Sequence, residues 1–152
     1  MTASAFTLYS KNKNHTNTSD IAGATVKMAL VTSAYTPDAT VTGNSIWADV
    51  SANEVANGNG YTTGGATMTS VASTSIAGGY KLTGTVPAWT ASGSGIPAHR
   101  YYVMYLSGTV WGLVNPIIGY FIGDNTPADI PLTTAGNTLT VTQSASGWFD
   151  LT

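Results

Sequence analysis

The sequence predicts an all-β protein, an antiparallel sandwich or barrel-like domain with at most one or two short helices. Three observations carry this expectation. Thr, Val, Tyr and Ile recur in short runs. Gly, Asn, Asp and Pro punctuate those runs, as turns between strands require. Several runs alternate with the two-residue period of a strand, and only one stretch shows helical spacing. At 152 residues one domain is expected, and 43% hydrophobic residues suffice for a core. The polar stretch Ser10–Asp20 reads as an exposed arm or loop. Residues 1–24 are therefore predicted as an N-terminal arm or loop-rich segment, and residues 25–152 as a single β domain.

Each element has its own warrant. In Thr25–Ser33, TVKMALVTS, the residues Val26, Met28 and Leu30 alternate with Lys27, Ala29 and Val31, so one strand face is strongly apolar. Near Ser45–Val55, Ile46 and Val50 have i,i+4 spacing, which offers a short helix that Asn53 and the Gly-rich sequel would stop. Ala66–Ile76 reads as a long, weakly apolar strand. Tyr80–Val86, YKLTGTV, places Tyr80, Leu82 and Val86 on one face. Arg100–Leu106, RYYVMYL, is apolar on both faces, as a strand covered on both sides would be. Thr109–Val114 and Pro116–Ile122 flank a turn at Asn115-Pro116. Thr138–Thr142 and Gly147–Leu151 are expected to close the chain as a strand pair.

Composition narrows function. Only 8% of the residues are charged, five Lys or Arg against seven Asp or Glu; an ordinary soluble domain carries roughly 25%. The surface must be built from Thr, Ser, Asn, Gly and Ala. Such a surface repels neighbours weakly and suits a chain packed against copies of itself or a partner. Binding phosphate backbones needs clustered basic side chains. The basic residues are scattered, apart from Lys11 and Lys13, so no nucleic-acid partner is expected. No run of 18 apolar residues exists, so no membrane span is expected either. Without cysteine, disulfides and thiolate metal sites are excluded. The start lacks a basic region followed by an apolar one, so it does not read as a secretory signal.

No catalytic signature stands out. Gly58, Gly60 and Gly64 resemble a nucleotide-binding run, but Thr63 occupies the third glycine position and a strand pattern follows where a helix is needed. A turn needing permissive backbone angles is the better reading. The two histidines, His15 and His99, are too few for a histidine metal site. Ser94, His99 and Asp124 could be imagined as a triad, but no nucleophile elbow surrounds Ser94. Asp124 and Asp129 share the loop GDNTPAD, without calcium-loop spacing; a turn role for Asp124 through its side-chain acceptor is expected. Trp47, Trp89 and Trp111 are candidate platforms for a sugar, set against the commoner role of aromatics in cores and interfaces. The chain is accordingly read as a non-enzyme with no cofactor and no metal.

One group of motifs is more specific in combination than singly. A-L-x-T-S falls at Ala29–Ser33, Y-x-P at Tyr35–Pro37, W-x-D-V at Trp47–Val50, N-E-V at Asn53–Val55 and G-x-G-Y-T-x-G-G-A at Gly58–Ala66. A-x-R-Y-x-V-x-Y follows at Ala98–Tyr105 and P-x-I-G-Y at Pro116–Tyr120. Over roughly residues 25 to 152 the chain resembles a family of small tailed-bacteriophage virion proteins. The N-terminal part departs from that pattern, being richer in Asn, Lys and Thr.

The resemblance implies a virion structural protein, made in the host cytoplasm. Its first expectation is a capsid decoration (cement) protein that binds the major capsid protein and stabilises the mature shell. The alternative is a tail, head-fibre or baseplate component with possible host-glycan contact. Self-association follows from the uncharged surface, and a homotrimer from analogy with other decoration proteins. The aromatic and Pro-containing loops supply candidate partner contacts: Tyr35, Pro37, Trp47, Asn115 and Pro116.

Overall fold

The computed structural model describes residues 2–126 and 128–152. In chain order it contains β1 (Thr7–Leu8), a 3-10 turn at Ser10–Asn12, α1 (Thr18–Ala22) and β2 (Thr25–Val31). Two further 3-10 turns lie at Trp47–Asp49 and Ser51–Asn53. Then come β3 (Ala66–Thr67), β4 (Thr69–Ile76), β5 (Gly79–Thr85), β6 (Trp89–Thr90), β7 (Tyr101–Ser107), β8 (Thr109–Val110) and β9 (Leu113–Val114). The chain ends with β10 (Ile117–Ile122), β11 (Thr138–Leu139) and β12 (Phe149–Leu151). The protein is mostly β, with antiparallel sheets and only short helical turns, and no sheet closes into a barrel.

The main sheet has five strands in the order β1-β10-β7-β2-β3. Its spine is the β2–β7 pair, in register from Thr25 opposite Ser107 to Val31 opposite Tyr101. Because side chains alternate across a strand, each strand feeds two cores. Val26, Met28 and Leu30 join Tyr102, Met104 and Leu106 on one face; Ala29 and Val31 join Val103 and Tyr105 on the other. The doubly apolar reading of Arg100–Leu106 therefore describes a central strand buried on both sides. The same holds for the end of β2, whose second face was not expected to be covered. Full burial of each such side chain stabilises by about 1.5–3 kcal/mol.

A three-stranded sheet, β12-β5-β4, covers the first face through Leu82, Phe149 and the partly buried Val71 and Leu151. The short pair β6–β11 adds Trp89 and Leu139 to the same core. The second face is covered by irregular chain: Tyr9, Tyr35, Trp47 and Val50 lie over it. Thus the architecture is a β-sandwich with an extra layer of loop.

Three expectations change. Thr138–Thr142 and Gly147–Leu151 do not pair with one another; β11 pairs with β6 and β12 with β5. Each finds an open edge elsewhere, which local sequence does not reveal. The helical spacing near Ser45–Val55 yields two 3-10 turns, whereas the only α-helix among the described residues, α1, falls in the stretch read as loop. Five residues are too few to show a helical period, although Asn17 does cap it by accepting from the Ser19 N–H at 2.8 Å. Finally, Ser10–Asp20 is not a free arm. Tyr9, Asn12, Thr18 and Ile21 are buried, and β1 pairs with β10. Tyr80 keeps to the Leu82 side of β5, as its alternation predicts, but lies beyond the core and is largely exposed at the strand's start.

Candidate functional site

The loop layer over the second face of the main sheet holds most of the residues expected to meet a partner. It is built by polar side chains that bind backbone. Asn12 Nδ2 donates to the carbonyls of Ser45 at 2.6 Å and Ile117 at 2.8 Å, and its Oδ1 accepts from Ser45 Oγ at 3.0 Å. All three functions of a buried amide are thereby satisfied. Asp49 Oδ2 accepts from the N–H groups of Ser45 at 2.8 Å and Ile46 at 3.1 Å, which holds the 3-10 turn at Trp47–Asp49. The Trp47 N–H then donates to the Asn115 carbonyl at 2.8 Å, and a bridge joins Ile46 to Pro116.

Trp47, Asn115 and Pro116 are thus brought together, but mostly inward. Trp47 is only 8% exposed and stacks on Tyr105 with ring centroids 4.6 Å apart. Pro116 is buried. Asn115 is half-buried, and its Oδ1 accepts from the Gly108 N–H at 2.7 Å to close the β8–β9 hairpin. Tyr35 is 4% exposed and lies in the same core cluster as Trp47. Pro37 is half-buried in the loop that follows. Three of the five candidate contacts, Tyr35, Trp47 and Pro116, are therefore spent on the chain's own interior. Exposed apolar residues lie beside these candidates: Val41, 72% exposed, in the loop after Pro37, and Val114, 61% exposed, at the end of β9, both of which a search for aromatics passes over.

A directed hydroxyl chain fixes Tyr35. Asn44 Oδ1 accepts from the Asp38 N–H at 3.0 Å, so that atom is the amide oxygen. Tyr35 donates its proton to it at 2.8 Å, and Tyr9 must therefore donate to Tyr35 across 2.7 Å. Burial pushes the Tyr35 hydroxyl up to about 12 and Tyr9 further still. The hydroxyls stay protonated and structural at neutral pH.

The Gly-rich run is explained by a second network. Glu54 Oε1 accepts from Tyr61 Oη at 2.7 Å and from the Gly64 N–H at 2.6 Å. Tyr61 Oη accepts from the Leu30 N–H at 3.1 Å, and Tyr105 Oη donates to the Gly64 carbonyl at 2.7 Å. Gly65 has φ +73, and a Cβ there would run into the Met28 carbonyl. The run is a turn folded tightly onto β2, as its glycines led us to expect, and the Glu54 partnership ties N-E-V to G-Y-T-x-G-G.

The remaining candidates separate in space or in role. Both ring nitrogens of His99 are engaged: Nδ1 faces the Pro97 carbonyl at 3.2 Å and Nε2 faces Tyr102 Oη at 2.9 Å. A carbonyl can only accept, so Nδ1 carries the proton and Tyr102 donates to Nε2. Neither Ser94 nor Asp124 is bonded to that ring. Asp124 Oδ1 accepts from the Thr126 N–H and Oγ1, the expected turn role, and these bonds hold its carboxyl below the usual range. Asp129 instead pairs with Arg100 at 2.7 Å and accepts from Ser33 Oγ. Among the described residues no three His, Cys, Asp or Glu side chains gather as a metal site, and no helix is long and apolar enough to cross a membrane.

The sugar platforms fare similarly. Trp47 and Trp89 are buried. Trp111 is half-buried at the β8–β9 turn, with one face against the His15 ring at 5.8 Å. Trp111 and Gly112 both have positive φ, 54° and 75°, the pattern of a type I′ hairpin turn with Trp where Asn is usual. An open groove of about 650 Å³ runs between the N-terminal strand and the chain's last strand, lined by Phe6, Leu8, Trp148 and Phe149 with Lys13 and Asp150. Comparison with known proteins found no matching family model, no matching curated protein and no matching solved structure.

Proposed function

We propose that the chain is a structural protein of a bacteriophage virion, a capsid decoration protein that coats the mature shell. It binds the major capsid protein, acts without chemistry or cofactor, and groups as homotrimers there. The observation that supports this best is the charge-poor surface on a small all-β domain: five basic and seven acidic residues in 152. The motif resemblance along residues 25–152 gives the reading its direction. A protein used in many copies profits from one patch repeated by symmetry. A coat that binds only the mature shell stabilises that state by mass action. Contacts would come from exposed apolar residues, Val41 in its loop and Val114 at the end of β9 foremost, with Pro37 and Asn115 at their margins.

Such an interface cannot depend on ion pairs. Exposed pairs contribute about 0–1 kcal/mol and are screened over roughly 8 Å at physiological salt. Apolar burial and neutral hydrogen bonds are far less salt-sensitive. Purified chain is therefore expected to cosediment with undecorated mature shells equally well at low and high salt, and coated shells should resist heat better. A steep loss of occupancy with salt would overturn the neutral interface. Failure on shells with capture by purified tails would move the chain to a tail, head-fibre or baseplate role.

A further inference from the structure

We infer that the free edge of β4 is a self-association surface, which pairs antiparallel with β4 of a second copy. The inference is independent of the shell reading and of any three-fold grouping there.

β4 is the outer strand of its sheet and bonds only to β5. Among the described residues no other backbone segment bonds to its outer side. Proteins ordinarily blunt such an edge with Lys, Pro or an inward charge. β4, TSVASTSI, carries none of these, and no residue from Val55 to Tyr80 is charged. One device is present: a bulge between Thr69 and Ala72, with Ser70 at φ +52. It leaves Ala72–Ile76 as a regular strand.

The hairpin geometry says which groups are offered. Ile76 opposes Gly79 across the two-residue turn Ala77-Gly78, so that pair exchanges both backbone bonds. By alternation Ala72 and Thr74 also bond inward to β5. The N–H and C=O groups of Ser73 and Ser75 therefore point outward, in the plane of the sheet. The Ser73 side chain is turned to the core side, where its Oγ meets Thr18 Oγ1 at 2.6 Å. Thr74 lies on the exposed face.

These facts select both occupant and register. A two-fold axis at Thr74 sets Ser73 of each copy opposite Ser75 of the other, so every regular outward group finds a partner. Centring on Ser73 would instead spend one pair on the bulge. Symmetry sets Thr74 opposite Thr74 in a pair without backbone bonds, where side chains approach most closely. Self-pairing normally meets like charge with like charge; here the strand is neutral and Thr–Thr is a favourable cross-strand pair. The product is one continuous sheet, β12-β5-β4 joined to its two-fold mate.

The absence of cysteine makes a clean test. Thr74→Cys should give disulfide-linked dimers under mild oxidation, while exposed Ser146→Cys should not. In sedimentation, Thr74→Lys and Thr74→Glu should each weaken self-association roughly tenfold or more, since like charges then face each other. Mixing the two variants should restore the dimer. Circular dichroism checks that both remain folded. A wild-type chain that stays monomeric at high concentration overturns the inference. So does cross-linking of Thr74→Cys no faster than Ser146→Cys, or an oligomer that both charge variants leave intact.

Discussion

At the scale of single residues, the structure separates two kinds of aromatic that look alike in sequence. Tyr102 and Tyr105 sit in a run apolar on both faces, and their burial could be expected. Tyr35 and Trp47 sit among Pro, Asp and Asn, which made them candidate contacts; both are buried because their loops lie on a sheet face. A loop's composition does not say what lies beneath it. Met104 is fully buried in the centre of the main sheet. Met104→Ala should cost about 2–5 kcal/mol in a denaturant titration, as core truncations do. A value near zero would show that the strand is not central. His99 gives a pH dependence. It is fully buried, and burial lowers its tendency to take a proton. The unfolded chain protonates this residue near pH 6.5, before the folded one does. Stability should therefore be full well above that pH and fall as pH drops through about 6.5. His99→Gln should flatten the slope in that window, measured by urea titrations at several pH values.

At the scale of elements, strands with a complete two-residue pattern were legible, and partners were not. β2 and β7 could be recognised singly, yet their pairing joins residues far apart in sequence. β11 and β12 were visible as strands but were matched to each other, because only the fold decides which edges are open. The segment 1–24 hid its attachment for a different reason. It is held by a two-residue strand and by single buried side chains such as Tyr9, Asn12 and Ile21, and these leave no periodic trace. Asn12→Ala would leave the buried carbonyls of Ser45 and Ile117 without their donor. The expected cost is about 1–3 kcal/mol. Amide exchange should quicken around Tyr9–Thr18 and the 3-10 turn at Trp47–Asp49, whereas Asn14→Ala, at an exposed site, should change neither. Equal effects of both variants would show that Asn12 is no anchor.

At the scale of the whole molecule, composition foretold an all-β domain with a neutral surface, and the sandwich accords with both. It did not foretell the loop layer that doubles the core. Irregular chain can cover a sheet face only where side chains bond its backbone groups, and Asn12, Asn44, Asp49 and Glu54 do this in single, unrepeated ways. The sheet order β1-β10-β7-β2-β3 has a consequence for biosynthesis. Thr7 pairs with Tyr120, and Thr25 with Ser107, so these strands are made long before their partners. Met28 has an earlier partner in Ala66 of β3, but the opposite side of β2 stays unpaired until β7 emerges. Long-range pairing of this kind folds slowly and exposes edges meanwhile. Formation of the main sheet should thus wait on β7 and β10, and until they arrive the open side of β2 is available to other unfinished chains.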